Sequence, residues 1–228
     1  MDASGLTGLH LASKNLKLEI IQLLLYCGAN VNLANPETGQ SALHFAILSS
    51  SSKGGVTLAA GAECVEVLLH NGAQARMRDR NGIEAIHFAC RCGRKDLVTL
   101  LLDHGADIDA LTSQQESPLY LFLEEKRNQR KVQLLDKLLS LSYPLKLTNS
   151  KGCLPKGLLF PHARQLKDAL LRMASDVLSL QEICKFNIRK IYGEKMKWWL
   201  QKKLPTTLWN SIYVYQEFSY ASKIKPFD

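Results

Sequence analysis

The sequence predicts an all-α protein: a solenoid of helix-turn-helix units joined by hairpins and closed by a small helical tail. Three observations carry that prediction. A short pattern recurs along the chain, an apolar helical stripe follows each copy, and a glycine ends the first three stripes. Recurrence at periods of roughly 20 to 50 residues signals stacked supersecondary units, because one helix pair cannot bury its apolar face alone.

The pattern first runs Gly5-Leu6-Thr7-Gly8-Leu9-His10-Leu11-Ala12 and returns 34 residues after Gly5 as Gly39-Gln40-Ser41-Ala42-Leu43-His44-Phe45-Ala46. The third copy is Gly82-Ile83-Glu84-Ala85-Ile86-His87-Phe88-Ala89, and a weaker fourth, Ser117-Pro118-Leu119-Tyr120, starts 33 residues beyond Glu84. Each copy opens a first short helix. The second helices are Ile21-Gln22-Leu23-Leu24-Leu25, Val65-Glu66-Val67-Leu68-Leu69, Val98-Thr99-Leu100-Leu101-Leu102 and Leu134-Leu135-Asp136-Lys137-Leu138-Leu139, whose apolar residues at helical spacing form packing faces. Gly28-Ala29, Gly72-Ala73 and Gly105-Ala106 end the first three, where glycine permits a left-handed cap and the chain turns extended.

The two ends of the array differ. Lys151-Gly152-Cys153-Leu154-Pro155, followed by residues 163–173, reads as a degenerate closing unit with a more polar helix. The first unit begins within a few residues of Met1 with no cap before its outer apolar face. That reads as a shorter form of a longer chain, or as a first unit with frayed helices. In the second unit the spacing lengthens from 34 to 43 residues around Ser49-Ser50-Ser51-Ser52-Lys53-Gly54-Gly55. This stretch is predicted to be a loop, either a tolerated surface insertion or a contact for a target.

Composition excludes several functional classes. With 228 residues, 46% hydrophobic and 22% charged, the chain is long enough for a sizeable core and is balanced for folding. No apolar run reaches the ~18 residues of a membrane span, and Met1-Asp2-Ala3-Ser4 lacks the start of a secretion signal. Cys27, Cys64, Cys90, Cys92, Cys153 and Cys184 fit no disulfide framework or zinc spacing, so a reducing cytoplasmic or nuclear setting is expected. The net charge of +8 is concentrated in residues 181–228, which hold nine Lys/Arg against four Asp/Glu. Their interleaving with Trp198, Trp199, Trp209 and Tyr213 fits a solvated face beside a small core better than a base-stacking surface, so no nucleic-acid partner is expected.

His10, His44 and His87 share one position in successive units, which stacking separates by about 8–10 Å, too far for one metal ion. Cys90 and Cys92 fall on different helix faces and read as packing residues. No nucleophile elbow, phosphate loop, zinc-protease helix or carboxylate pair in an evident cleft appears. The sequence therefore predicts no catalytic residues, no metal and no cofactor.

These units resemble ankyrin repeats, about four of them plus the degenerate closing repeat. The resemblance implies that the histidines are structural hydrogen-bonders and that the chain binds proteins through hairpin tips and inner helices. Asn35, Arg76, Arg78, Arg80 and Asn81 are expected at the tips. Three arginines at alternate positions of an extended segment project to one side, suiting an acidic partner or simply a solvated hairpin.

Downstream, Ser179-Leu180-x-x-x-Cys184-x-x-x-Ile188 places Leu180, Cys184 and Ile188 four apart on one helical stripe. Following an ankyrin array, it resembles the elongin-binding helix of a SOCS box. The ankyrin-repeat and SOCS-box family joins these modules in this order, and the resemblance covers about residues 2 to 210. It implies repeats over 2–174 and a small three-helix SOCS box with a C-terminal tail over 175–228. Leu180, Cys184 and Ile188 are then the elongin-binding residues, and Leu204 and Pro205 begin the cullin-binding segment. There the usual Leu-Pro-hydrophobic-Pro is replaced by Leu204-Pro205-Thr206-Thr207, and Leu208-Trp209-Asn210-Ser211-Ile212-Tyr213 departs from the usual apolar spacing. Tyr213 to Phe227 matches nothing in the family pattern.

The implied function is a noncatalytic substrate receptor. Its partners would be elongins B and C, a cullin-RING core built on the fifth cullin through a weakened motif, and a target protein held for ubiquitination. The alternative is a non-ligase ankyrin scaffold or inhibitor whose tail only caps the stack.

Overall fold

The computed structural model describes residues 2, 4–52, 57–175, 180–192, 197–210 and 212. By compactness the chain divides into two units, Met1–Pro118 and Leu119–Asp228.

In the first unit three helix pairs follow one another: α1 (Gly8–Lys14) with α2 (Leu18–Tyr26), α3 (Ala42–Ser52) with α4 (Thr57–His70), and α5 (Ala85–Cys92) with α6 (Lys95–Asp103). First helices pack on first helices, α1 on α3 and α3 on α5, while α2 packs on α4 and α4 on α6. Two rows result, as the periodicity requires. The equivalent residues Ala12, Ala46 and Ala89 are buried, and their small side chains allow close approach within the first row. Ile21, Val65, Leu68, Val98 and Leu101 seal the second row from water. Gly28, Gly72 and Gly105 end the second helices with φ of 83°, 86° and 81°. On α1 and α2, Leu11, Ile20 and Leu23 are exposed.

Part of the insertion in the second repeat, Ser49 to Ser52, is helical rather than the predicted loop. Ser49 to Ser52 continue α3, α4 starts at Thr57, and only residues 53–56 fall outside the described residues. The cause is local satisfaction of polar groups. Ser50 is buried, its hydroxyl donates to the Ile47 carbonyl at 2.8 Å, and its own carbonyl accepts from Arg94 Nη1 at 2.9 Å. A Cβ at Gly61 would lie 2.3 Å from Ser50 Cβ, so glycine lets α4 cross the lengthened α3. Serine is a poor helix former mainly because its hydroxyl competes for the backbone; here that hydroxyl back-bonds within the helix.

Among the described residues, strand pairing reduces to one isolated antiparallel bridge between Arg78 and Glu84. The hairpins are instead held by a repeated side-chain device. Asp2 Oδ1 accepts from the backbone N–H groups of Ser4 and Leu6, Asp79 Oδ1 from those of Asn81 and Ile83, and Asn149 Oδ1 from those of Lys151 and Cys153, at 2.8–3.0 Å. Asn35 Oδ1 does the same for Glu37 and Thr38, and Thr112 Oγ1 for Gln114 and Glu116. The residue at the turn of each loop has positive φ. It is Gly5, Gly39, Gly82 and Gly152 in four copies and Gln115, at 61°, in the fifth.

An L side chain in the left-handed region costs roughly 1 kcal/mol, and the Gln115 side chain is exposed. Gln115→Gly is therefore expected to stabilise the chain by about 1 kcal/mol, read as a higher urea midpoint at unchanged slope. An unchanged or lower midpoint would place the strain elsewhere.

The second unit holds α7 (Pro118–Glu124, from Leu119 onward), α8 (Val132–Leu141), α9 (Arg164–Ser175), α10 (Leu180–Tyr192), α11 (Lys197–Lys203) and α12 (Thr206–Trp209). Phe122, Leu123, Leu134, Leu138, Leu158 and Leu170 are fully or almost fully buried in its core. Where a degenerate closing repeat is expected, two short 3-10 turns, Lys156–Leu159 and Pro161–Ala163, precede α9. Pro161 lacks the N–H that would extend the first turn as an α-helix and biases Phe160 toward extended backbone. The following α9 buries Leu166 and Leu170, one turn apart, and is otherwise mostly polar. Helix α10 packs on α8.

Candidate binding surfaces

The surfaces depend on how rigidly successive hairpins are held. His10 Nδ1 accepts from the Thr7 N–H at 3.1 Å and its Nε2 faces the Leu33 carbonyl at 2.8 Å. His44 repeats this with the Ser41 N–H at 3.2 Å and the Ile83 carbonyl at 3.3 Å. His87 uses the Glu84 N–H and the Ala110 carbonyl, both at 3.0 Å. The accepting Nδ1 requires a neutral ring protonated on Nε2, so both ring nitrogens are consumed and no lone pair is left for a metal. Burial holds all three imidazoles below their ordinary pKa, that of His87 at about 4. Tyr120 takes this position in the fourth repeat, and its hydroxyl accepts from Asn149 Nδ2 at 3.3 Å.

Hairpins are also tied directly. The Arg80 N–H donates to the Thr38 carbonyl and the Ser113 N–H to the Asn81 carbonyl, each at 3.0 Å. At the equivalent first junction stands Pro36, which has no N–H, and Asn35 Nδ2 supplies the bond to the Ser4 carbonyl at 2.8 Å. This explains a departure from expectation: Asn35 is 3% exposed and lies inside the hairpin rather than at its tip.

Arg76, Arg78, Arg80 and Asn81 do lie on the surface, while Asp79 between them is buried. Each arginine is anchored within the chain. Arg76 Nε donates to the Gly105 carbonyl at 2.6 Å, a tie that the equivalent Asn32 makes to the Gly72 carbonyl at 2.9 Å. Arg80 donates to the Pro36 carbonyl. Arg78 Nε pairs with Glu84 Oε1 at 3.1 Å. Glu84 is 3% exposed; burial raises its carboxyl pKa, and Arg78 opposes that rise. Among the described residues Glu84 Oε2 has no hydrogen-bond partner. A guanidinium carries five donors, so arginines fixed by one or two of them present a preorganised cationic edge to a carboxylate. Sequence periodicity identified these arginines but not their anchoring, which needs the carbonyls of neighbouring repeats.

In the tail, Ser179 lies outside the described residues and Leu180 opens α10. Cys184 is exposed and Ile188 half-buried, and Ile191, three residues further along the same stripe, is 74% exposed. Leu204 is half-buried between α11 and α12, which pack together, and Pro205 is exposed at the start of α12. Thr206 and Thr207 are exposed, whereas Trp209 and Ile212 are buried. Tyr213 to Phe227 lie outside the described residues.

Among the other cysteines Cys64 and Cys90 are buried packing residues: the Cys90 thiol pKa is pushed up, and burial lifts that of Cys64 to about 11, whereas Cys92 is half-buried and Cys27 and Cys153 are exposed. Among the described residues no group of three or more His, Cys, Asp or Glu is placed to hold a metal ion. No described helix is long and apolar enough to cross a membrane.

Comparison with known proteins agrees with this geometry. Family models of the ankyrin repeat match residues 4–36 and, as three copies, residues 56–139, together about half of the chain. The chain is 30% identical over 133 residues to the B-cell lymphoma 3 protein homolog of Mus musculus, covering 57% of this chain and 27% of that protein. It is 30% identical over 128 residues to the E3 ubiquitin-protein ligase KEG of Arabidopsis thaliana, covering 55% of this chain and 7% of that one. With protein phosphatase 1 regulatory subunit 27 of Mus musculus it shares 35% identity over 81 residues, 36% of this chain and 46% of that protein. The chain thus spans less than half the length of each of these relatives. Recurrent histidine ties, repeated hairpin loops and matching family models lead to one conclusion: the chain belongs to the ankyrin-repeat family.

Proposed function

We propose that the chain is a noncatalytic, intracellular adaptor of a ubiquitin ligase. Its ankyrin repeats hold a target protein, and α10 docks elongin C with its partner elongin B. A cullin-RING core, expected to be built on the fifth cullin, then brings a charged conjugating enzyme to the target. The observation that carries this reading is the stripe on α10. Cys184 and Ile191 stay exposed and Ile188 half-exposed on a helix already seated on α8. An apolar stripe left open on a positioned helix suits helix-in-groove recognition, with Leu180 at its head as the expected anchor. Catalysis is then proximity: tethering a target lysine near the thioester raises its effective concentration to the order of millimolar. The exposed Thr206 and Thr207, which replace the hydrophobic-Pro half of the cullin motif, weaken the cullin contact in this account.

One observation favours a second reading. The packing of α10 on α8 is also what a cap would do, giving a non-ligase scaffold or inhibitor. The double variant Leu180→Ala, Cys184→Ala separates the two. As binding residues they should cost roughly 2 kcal/mol or more of elongin affinity, about 30-fold, with the repeats still folded by circular dichroism. If the variant instead unfolds the repeats and the unsubstituted chain shows no elongin affinity, the tail is a cap.

A further inference from the structure

A groove of about 620 Å³ runs between α2 and α4, floored by Leu18, Leu25 and Val67. These three are half-buried, each leaving part of its apolar surface open to the groove. Glu63 and Glu66, both exposed, stand on its α4 side, and among the described residues no Lys or Arg lines it, in a chain of net charge +8. Lys17, just before α2, is the nearest cation in sequence and is not among the lining residues.

The next junction in the same row is closed differently. His70 of α4 and His104, which follows α6, meet with ring centroids 5.3 Å apart and planes at 71°. One repeat earlier the corresponding residues are Tyr26 and Asn71. Asparagine offers no ring, and Tyr26 is left 91% exposed at the lip of the groove. An aromatic that exposed contributes little to folding, whereas tyrosine is enriched where partners dock because its ring is apolar and its tip polar.

We propose that this groove is a second protein-binding surface, on the row of second helices rather than on the hairpins. Its occupant is a short amphipathic segment of a partner protein. Lys or Arg side chains of that segment meet Glu63 and Glu66, while its apolar face covers Leu18, Leu25 and Val67 and packs on Tyr26. The lined stretch of α2, from Leu18 to Tyr26, is about 12 Å long, matching roughly two turns of a docked helix. Exposed ion pairs are individually weak, so the carboxylates select the partner and apolar burial supplies most of the affinity. The inference requires neither the tail nor its reading as an elongin-binding element.

The test uses the full chain and two fluorescein-labelled helical peptides with leucines at i, i+3, i+4 and i+7. One carries lysines on the flanks and the other glutamates. The lysine peptide is expected to bind about tenfold more tightly by fluorescence anisotropy, against the repulsion of the chain's overall positive charge. The double variant Glu63→Lys, Glu66→Lys should reverse that preference, and Tyr26→Ala should weaken the lysine peptide alone. All three positions are exposed, so circular dichroism should be unchanged. Absence of saturable binding of the lysine peptide, or a preference that survives the charge reversal, overturns the proposal.

Discussion

Acidification from pH 7 to pH 4 is expected to remove roughly 3 kcal/mol or more from the stability of the first unit. His87 is fully buried, neutral and bonded at both ring nitrogens, and burial holds its folded pKa at about 4 against an ordinary imidazole value of 6.5. Between those values the unfolded chain binds a proton that the folded chain refuses, so stability falls as pH falls, by about 1.4 kcal/mol per unit. His10 and His44, whose pKa values are also lowered by burial, act in the same direction. Glu84 acts in the opposite one, because its raised folded pKa makes protonation favour the folded state as pH falls. Asp2 and Asp96, with lowered folded values, add their losses only as the pH falls below the ordinary carboxylate range. The window of greatest loss is therefore about pH 6.5 to 4, above that of ordinary acid denaturation. Urea midpoints across this window check it. His87→Ala should start less stable and show a slope shallower by one proton; a flat profile for the unsubstituted chain would contradict the buried neutral rings.

The second large effect is expected at Gly157, where alanine should destabilise the second unit by roughly 3 kcal/mol. A Cβ there would lie 2.0 Å from the Leu123 backbone carbonyl oxygen and 3.2 Å from Gln129 Nε2. Neither can yield cheaply. The carbonyl belongs to α7, and Gln129 Nε2 donates to Gly157 O. The 3-10 turn would have to lift away and expose Leu158, which is 1% accessible. Hydrogen exchange should then show α7 and the 3-10 turns before α9 losing protection together. Normal protection in Gly157→Ala would mean that the turn accommodates a methyl group and that this contact does not hold the 3-10 segment on α7.

Much of the fold was legible because each repeat states its pattern several times. Ala12, Ala46 and Ala89, the three histidines and the glycines after the second helices recur at fixed offsets, and stacking converts equal offsets into equal environments. The insertion misled because a run of serines resembles a linker. Whether such a run is loop or helix depends on partners such as Arg94 and Gly61, which lie far away in sequence. Asn35 misled for a related reason: the pattern placed it at a tip, but Pro36 beside it removes a backbone donor and draws the asparagine side chain inward. The hairpin arginines were visible as an alternation, while their ties to Gly105, Glu84 and Pro36 were not. In the tail, helical spacing gives the stripe of Leu180, Cys184 and Ile188, but spacing alone cannot name what covers it.

The adaptor reading rests on that stripe, and co-expression of the chain with elongins B and C tests it most directly. The account predicts that a stoichiometric ternary complex survives gel filtration and that Leu180→Ala with Cys184→Ala leaves the chain folded but eluting alone. If the unsubstituted chain itself elutes folded and free of the elongins, the adaptor account is contradicted and the chain is better described as an ankyrin scaffold.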